Sequence, residues 1–236
     1  MTAGSRSRSS SRALERYAWI GGIVFVVFLI AEAGVSLAIK ANQDDSAAKI
    51  AGELADHRRT LILAACLSIV YAVGFVVYLT RLHELLRGEP SEPRFMFSWV
   101  LIGGLLFVTL HGVSDIGIYG MLGGKVATYS AQHNEGLAYM LYLLTYALDS
   151  VGDVFASLFM LAAGLRLLAS RALPRWLGWL ALLVSPFLLV QGFGLGGVIS
   201  SFGLALDLVG FLLFLVFVLA SSIVGLSRGS VPATAS

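Results

Sequence analysis

The sequence predicts an all-α, polytopic membrane protein with six transmembrane helices and both termini in the cytoplasm. One observation is composition: 58% of the residues are hydrophobic and 13% are charged, whereas a soluble domain carries about 25% charged residues. A second is that six apolar stretches reach the roughly 18 residues that mark a membrane helix. The third is the distribution of Lys and Arg between the connecting segments, which decides the orientation.

The apolar stretches take up most of the chain and leave no room for a separate soluble domain. They cover about 17–39, 60–81, 96–121, 136–168, 175–198 and 201–226. We therefore expect one six-helix transmembrane domain over 17–227. A disordered basic tail over 1–16 would precede it, and a short tail over 228–236 would follow.

The amino-terminal stretch "MTAGSRSRSSSRALER" carries four arginines and no apolar run. Positive charge of this kind is typical of the cytoplasmic side of a membrane protein. The apolar segment that follows is longer than the 7–15 residues typical of a signal peptide, so it predicts a first membrane helix. Nucleic acid is not expected as a partner.

Six helices place both termini on one side, and the basic residues indicate that this side is the cytoplasm. Eleven arginines would lie inside, against five basic residues outside. The inner set is Arg6, Arg8, Arg12, Arg16, Arg81, Arg87, Arg94, Arg166, Arg171, Arg175 and Arg228, and the outer set is Lys40, Lys49, Arg58, Arg59 and Lys125. The orientation is therefore N-in and C-in.

The first outer loop, "DDSAAKIAGELADHRR", has its alanines and Leu54 at helical spacing, with charges on the opposite face. This pattern predicts either a short interfacial helix or an outward extension of the second membrane helix. The longest helix is expected over 136–168.

A polar stripe on the fourth membrane helix is the clearest sign of function. Its members recur at steps of three or four, which keeps them on one helix face. They are Tyr139, Tyr142, Tyr146, Asp149, Asp153 and Ser157. Because such residues are costly against lipid, the face must contact protein or water.

Other polar residues reach a similar depth. At 1.5 Å per residue, Glu32 and His111 lie roughly 22 Å from the inner ends of their helices, in the outer third of a hydrocarbon core about 30 Å thick. His111 and Asp115 are four residues apart and share a face. The candidate ligand- or cation-binding residues are Glu32, His111, Asp115, Tyr142, Tyr146, Asp149, Asp153, Gln191 and Asp207.

Five of these residues carry carboxyl groups, and no Lys or Arg lies at comparable depth. A charged aspartate at the membrane centre costs roughly 2.5–3.5 kcal/mol on insertion scales. Several of the carboxyl groups must therefore be protonated, hydrated or paired with a cation. The sequence predicts an outward-facing cavity, lined by acids and tyrosines, that binds a proton, a cation or a small amphiphile for transport or sensing.

Two alternatives remain open. The chain could be a structural or accessory subunit whose polar face docks a partner helix, in a homo-oligomer or beside another subunit. It could also be an intramembrane metal-dependent hydrolase, with His111 and several carboxylates holding an ion that activates water. Only one of the four histidines is intramembrane, which disfavours zinc chemistry and enzymatic activity.

No cofactor is predicted. A bis-histidine haem site needs two opposed histidines, and a retinal Schiff base needs an intramembrane lysine, which the sequence lacks. The single cysteine, Cys66, excludes an internal disulfide and a multi-cysteine metal site, and it is expected to be a packing residue of the second helix.

The run "ALPRWLGWLALLVSPFLLV", residues 172–190, resembles the fifth-helix signature of a family of six-helix bacterial membrane proteins of unknown function. The arginine-rich start and the six helices fit this resemblance along most of the chain. It implies the fold and a multi-pass location in the bacterial cytoplasmic membrane. The distinctive turn is an interfacial anchor and supplies no catalytic residue.

Overall fold

The computed structural model describes the backbone of residues 4–87, 94–193 and 202–228, and the side chains of residues 17–87, 97–193 and 208–228. Within these ranges the chain forms helices and no strand. Six helices are long and apolar enough to cross a membrane. The predicted all-α class with six membrane spans is confirmed, and the chain is a multi-pass membrane protein. Its orientation stays a prediction.

The elements follow one another along the chain as a series of long helices with short connections. They are α1 Gly4–Ser36, α2 Ala47–Asp56, α3 Arg58–Leu85, α4 Arg94–His111, a π-helical segment Gly112–Ile118, α5 Tyr119–Met121, a second π-helical segment Leu122–Val126, α6 Ala127–His133, α7 Glu135–Ser170, α8 Arg175–Gly192 and α9 Phe202–Arg228.

The two chain ends differ in how they compare with the predicted tails. The sequence predicts a disordered segment over 1–16, but α1 begins at Gly4. No proline or glycine lies between Ser5 and Ile20, so the membrane helix can continue backwards without a break. Of the predicted carboxy-terminal tail, residues 229–236 lie outside the described residues.

The first loop contains a separate short helix, α2, as one of the two sequence alternatives predicts. Its first turn is capped by Ser46, whose hydroxyl accepts a hydrogen bond from the backbone N–H of Lys49 at 3.3 Å. Its apolar face buries Ile50, Ala51 and Leu54. We call the end of the bundle at which α2 lies the α2 end. The carboxyl end of α1 and the amino end of α7 also lie there.

The third membrane span is longer than predicted. The sequence ends it near residue 121, whereas the helical run continues from Phe97 to His133. At Gly124 the backbone leaves helical geometry, with ψ at −128°, so the last turns take a new direction. Arg58 Nε donates to the backbone oxygen of Gly123 at 3.1 Å. That bond ties the bend to the first turn of α3.

Among the described residues the longest uninterrupted α-helix is α7, with 36 residues, which agrees with the prediction of the longest helix over 136–168. It packs against α4 on one side and α8 on another. It ends at Ser170, and the capping residue that follows, Arg171, adopts the left-handed conformation with φ 53°. Because α7 contacts both neighbours along its length, its polar residues are divided between two interfaces.

An aromatic core fills the middle of the bundle. The ring of Phe75 on α3 lies within 6.3 Å, centroid to centroid, of Phe25, Phe107, Phe159 and Phe214, which come from four other helices. Apolar side chains cover the outside as well, and several large ones are exposed, as expected for helices that face lipid. Cys66 is exposed rather than packed, which corrects the expectation for it.

Candidate functional site

A π-helical segment brings the first buried acid into the bundle. The wider turn of Gly112–Ile118 interrupts the third span where Ser114 and Asp115 are both buried, and such segments are frequent at functional sites. The Tyr71 hydroxyl, on α3, donates to Asp115 Oδ2. The Ser114 hydroxyl interacts with both Asp115 and Asp149.

Three acids form what we call the carboxyl cluster: Glu32 of α1, Asp115 of the π-helical segment and Asp149 of α7. They interact electrostatically with one another, and Glu32 and Asp115 also interact with His111. Glu32 is buried and accepts a hydrogen bond from Ser36 Oγ at 2.6 Å. Because like charges repel strongly in a medium of low dielectric constant, the cluster requires compensating protons or a cation.

One oxygen of the cluster lacks a partner. Asp149 Oδ1 is buried and accepts no hydrogen bond within the part of the chain that the structure describes. A buried polar atom left unpaired costs about 1–3 kcal/mol, and more when it is charged. An atom in this position can accept a hydrogen bond or contact a cation in the interior of the bundle.

A cavity of about 330 Å³ opens at the α2 end, and we call it the tyrosine cavity. Its lining residues come from α1, the α1–α2 loop, α2, α3, α5 and α7. They are Ala33, Ser36, Leu37, Ile39, Ala41, Leu54, Leu61, Tyr119, Tyr142 and Tyr146. None of these side chains is charged, and those that are polar carry hydroxyl groups.

The tyrosine hydroxyls form a directed chain. Tyr142 donates to the backbone oxygen of Ala41 at 2.6 Å, and its hydroxyl oxygen lies 2.8 Å from that of Tyr146. Because Tyr142 has one hydrogen and uses it on Ala41, Tyr146 is the donor in the second bond. The two rings stand nearly perpendicular, at 81°, with centroids 5.1 Å apart.

The tyrosine cavity and the carboxyl cluster adjoin each other. Ser36 and Tyr146 line the cavity, and Glu32 and Asp149 follow about one turn farther from the α2 end on the same helices. Tyr119 also lines the cavity, and its phenol interacts electrostatically with all three carboxyl groups. The acids therefore lie behind the hydroxyl lining, on the side toward the aromatic core.

His111 and Asp153 form a second polar contact, still farther from the cavity. His111 Nε2 lies 3.7 Å from Asp153 Oδ1, and its Nδ1 lies 3.1 Å from the backbone oxygen of Phe107. The imidazole occupies a notch beside Gly152, where an added Cβ would be 2.5 Å from Nδ1. Asp153 is buried.

The remaining predicted residues lie elsewhere. Gln191 is at the contact of α8 with α9, where its Oε1 is 3.7 Å from the position of a Cβ on Gly210, and it is not among the residues that line the cavity. The side chain of Asp207 lies outside the described side chains. Ser157, on the predicted stripe, pairs with Ser185 of α8 instead of the acids.

Sequence reasoning on α7 alone could not identify several contributors. Tyr71 is at a suitable depth on α3, but its bond to Asp115 depends on how the helices are rotated. Ser36 and Tyr119 contribute to the lining, and neither stands out in a hydropathy pattern. For the hydrolase alternative, no group of three or more His, Cys, Asp or Glu side chains that could hold a metal ion occurs among the described residues.

Comparison with known protein families gives a match that covers most of the chain. Residues 20–226 match the family whose description reads "Domain of unknown function (DUF4386)". The chain matches no curated protein and no solved structure.

Proposed function

Because the chain belongs to the DUF4386 family, whose description assigns no activity, we propose a function from the geometry: the tyrosine cavity binds a small cationic amphiphile. The carboxyl cluster behind the lining supplies the negative charge. The observation that carries the proposal is the buried Asp149 Oδ1, which has no hydrogen-bond partner among the described residues, because such an atom calls for a proton or a cation.

The chemistry of the lining favours a cation. Its polar groups are hydroxyls, and no lysine or arginine is among the lining residues. The perpendicular rings of Tyr142 and Tyr146 offer two aromatic walls, and aromatic walls of this kind recognise quaternary ammonium groups through cation–π attraction. An anion would find no positively charged side chain in this lining.

The size and the remaining lining residues favour an amphiphile over a bare ion. About 330 Å³ falls at the lower end of the roughly 300–1,000 Å³ typical of small-molecule pockets. Leu37, Leu54 and Leu61 line the cavity beside the tyrosines. A ligand with an apolar body and one cationic group would satisfy both parts of the lining.

The proposal places the cavity at the outer face of the bacterial cytoplasmic membrane, because the charge distribution predicts that the α2 end lies outside. Single cysteines in a Cys66→Ser background test this orientation in intact cells. Lys49→Cys and Lys125→Cys should react with an impermeant maleimide, whereas Arg87→Cys and Arg171→Cys should react only after lysis. The opposite pattern would invert the cavity's direction.

The binding test uses the purified full chain in lipid nanodiscs and benzyltrimethylammonium as probe. We expect this cation to raise the melting temperature, since a ligand at 100 times its Kd adds about 2.7 kcal/mol of stability. Its neutral carbon analogue, neopentylbenzene, should have a much smaller effect, and benzenesulfonate should have none. Equal stabilisation by the neutral analogue would reduce the site to an apolar pocket and contradict the proposal.

Two variants assign the binding to the site. Asp149→Asn should abolish the stabilisation by the cation while the protein stays folded, because a costly buried acid is removed. The matched control is Asp56→Asn, at the exposed end of α2, which should respond as the wild type does. If Asp149→Asn melts lower and binds the cation unchanged, Asp149 is a structural residue and the proposal is wrong.

The proposal concerns a binding step that transport and sensing share. Counterflow of radiolabelled benzyltrimethylammonium in proteoliposomes distinguishes them. A transporter should exchange external label for internal unlabelled cation, and the exchange should disappear in Asp149→Asn. Binding without counterflow would favour sensing.

A further inference from the structure

The contact between His111 and Asp153 contains an imbalance of hydrogen-bond donors and acceptors. His111 Nδ1 faces a backbone oxygen at 3.1 Å, which can only accept, so Nδ1 must carry a hydrogen. In a neutral imidazole the other nitrogen, Nε2, is then a bare acceptor. It faces Asp153 Oδ1 at 3.7 Å, and an ionised carboxylate is also only an acceptor. One additional proton, on either partner, turns this contact into an attraction.

The surroundings hold the imidazole in this geometry. Gly152 leaves the notch into which the ring fits, since a Cβ there would lie 2.5 Å from Nδ1 and 2.6 Å from Cε1. The ring of Phe107 lies on the other side, with centroids 4.5 Å apart and planes tilted by 52°. A reorientation that would satisfy Nε2 elsewhere is therefore obstructed by packing.

Among the described side chains, the titratable groups shown to interact with His111 are acidic. Glu32 on α1 and Asp115 on the π-helical segment interact with His111, and Asp149 lies one turn before Asp153 on α7. Tyr71 of α3 contacts this group through Asp115. On α9, the side chain of Asp207 lies outside the described side chains. These are the same carboxyl groups whose negative charge a cation in the cavity would compensate.

We propose that His111 and Asp153 form a proton-binding site that releases one proton when a cation occupies the tyrosine cavity. This inference rests on the proposed function and adds its coupling ion. The entering cation supplies one positive charge to the carboxyl cluster, and the extra proton that the pair holds, on His111 or on Asp153, departs to the solvent. One positive charge enters and one leaves, so the net charge in the bundle is unchanged. Asp115 and Asp149, each one helical turn away, lie on the route toward the cavity.

Asp153→Asn is the central variant, because its amide N–H can donate toward Nε2 in place of the extra proton but cannot be released. We expect the fold to persist and the cation to bind more weakly than to the wild type, because no departing proton offsets the charge that the cation brings. Titration calorimetry with benzyltrimethylammonium in two buffers of different ionisation enthalpy, at the same pH, counts the protons released. The wild type should release about one proton per cation bound and Asp153→Asn close to none. Glu84→Gln, at the opposite end of the bundle, is the control and should match the wild type.

A ligand-free measurement separates failure of this inference from failure of the proposed function. In the wild type, the extra proton of the pair should appear either as an imidazolium signal of His111 in ¹⁵N spectra or as a protonated-carboxyl band in infrared spectra. Asp153→Asn should lose that signal. If no cation binds to the wild type but the signal is present and lost in the variant, the binding proposal fails and the proton site stands.

Several outcomes would overturn the proton site. One is a wild type with a neutral imidazole and an ionised Asp153, and another is full proton release by Asp153→Asn. His111→Gln covers the case in which Asp153→Asn does not fold, because its amide can donate to Asp153 Oδ1 and should likewise remove the proton release. If neither variant folds, the pair serves the structure only.

Discussion

Two neighbouring regions along α7 use polar residues in opposite ways. Where α7 meets α8, Ser157 and Ser185 exchange hydrogen bonds, with Ser157 Oγ 2.8 Å from the backbone oxygen of Ser185 and Ser185 Oγ 3.1 Å from that of Ser157. Where α7 meets the third span, Asp149 keeps a buried oxygen without a partner among the described residues. An unpaired buried atom of a polar residue in a membrane helix therefore indicates a candidate binding site, whereas paired hydroxyls indicate packing between helices.

The α7–α8 contact is built on small residues. Three pairs recur every seven residues along both helices: Ser150 with Gly192, Ser157 with Ser185, and Gly164 with Gly178. A Cβ on Gly164 would lie 2.9 Å from the backbone oxygen of Gly178. A seven-residue period suits close, nearly parallel helix axes. This seam is tightly packed along its length, whereas the other face of α7 borders a cavity.

The largest effect is expected from filling the seam. Gly164→Leu should destabilise the protein by about 3 kcal/mol or prevent folding, because overpacking forces the two backbones apart. Gly34→Leu is the matched control, since a Cβ at Gly34 meets nothing within 4 Å, and it should be nearly neutral. Thermal melting in detergent measures both. Equal melting of the two variants would show that the seam tolerates separation.

The next effect concerns the cavity side. Tyr71→Phe removes the hydroxyl that donates to Asp115 Oδ2 and should cost about 1–3 kcal/mol, because a buried acceptor is left unpaired. Tyr129→Phe, at an exposed tyrosine of α6, should change nothing. Chemical or thermal unfolding of both variants tests this difference. A Tyr71→Phe protein as stable as the wild type would mean that Asp115 finds another donor.

Periodicity predicted much of the architecture but only part of the candidate site. The membrane spans and α2 follow from apolar runs and helical spacing, which are local properties of the chain. The π-helical segment Gly112–Ile118 reads like an ordinary helix in sequence, because helical spacing does not show where a single turn is wider. The bond of Tyr71 to Asp115 depends on the rotation of two helices, which no single helix specifies.

The α7 stripe shows the limit of a one-helix argument. Its six polar residues do lie on one side of the helix, but that side is broad and meets more than one neighbour. Tyr142 and Tyr146 line the cavity, whereas Ser157 faces α8. Helical spacing specifies which residues share a face, and the neighbouring helices decide what the face contacts.

A smaller effect is expected from the paired hydroxyls of the seam. The double variant Ser157→Ala with Ser185→Ala removes both hydroxyls, and the backbone oxygens that accept from them keep the backbone hydrogen bonds of their own helices, so no buried group is left unpaired. Hydrogen bonds between membrane helices average about 0.6 kcal/mol in measured cycles, and the double variant should lose about that amount for each hydroxyl at most. Cation binding should be unchanged, as measured by the benzyltrimethylammonium melting shift. Loss of binding would connect the seam to the cavity.

The smallest effect is expected at Asp45, a carboxylate that already has its cation. Lys49 Nζ lies 2.7 Å from Asp45 Oδ1, and the backbone N–H of Asn42 donates to Oδ2 at 2.9 Å. The Lys49 hydrogen bond, followed by the Asn42 bond, holds the pKa of Asp45 below its usual value. A lowered pKa in the folded state stabilises the protein above the unfolded pKa of about 3.9, and that stability is lost as the pH falls through the folded pKa.

Lys49→Met should therefore lower the melting temperature slightly at neutral pH and leave it unchanged below the folded pKa of Asp45. High salt should remove the neutral-pH difference, because exposed charges are screened. A carbon-detected NMR titration of Asp45 checks the pKa directly, and an unchanged value in Lys49→Met would contradict the pairing. The same salt should leave the effect of Asp149→Asn on cation binding intact, since a buried carboxyl group is screened much less than an exposed one.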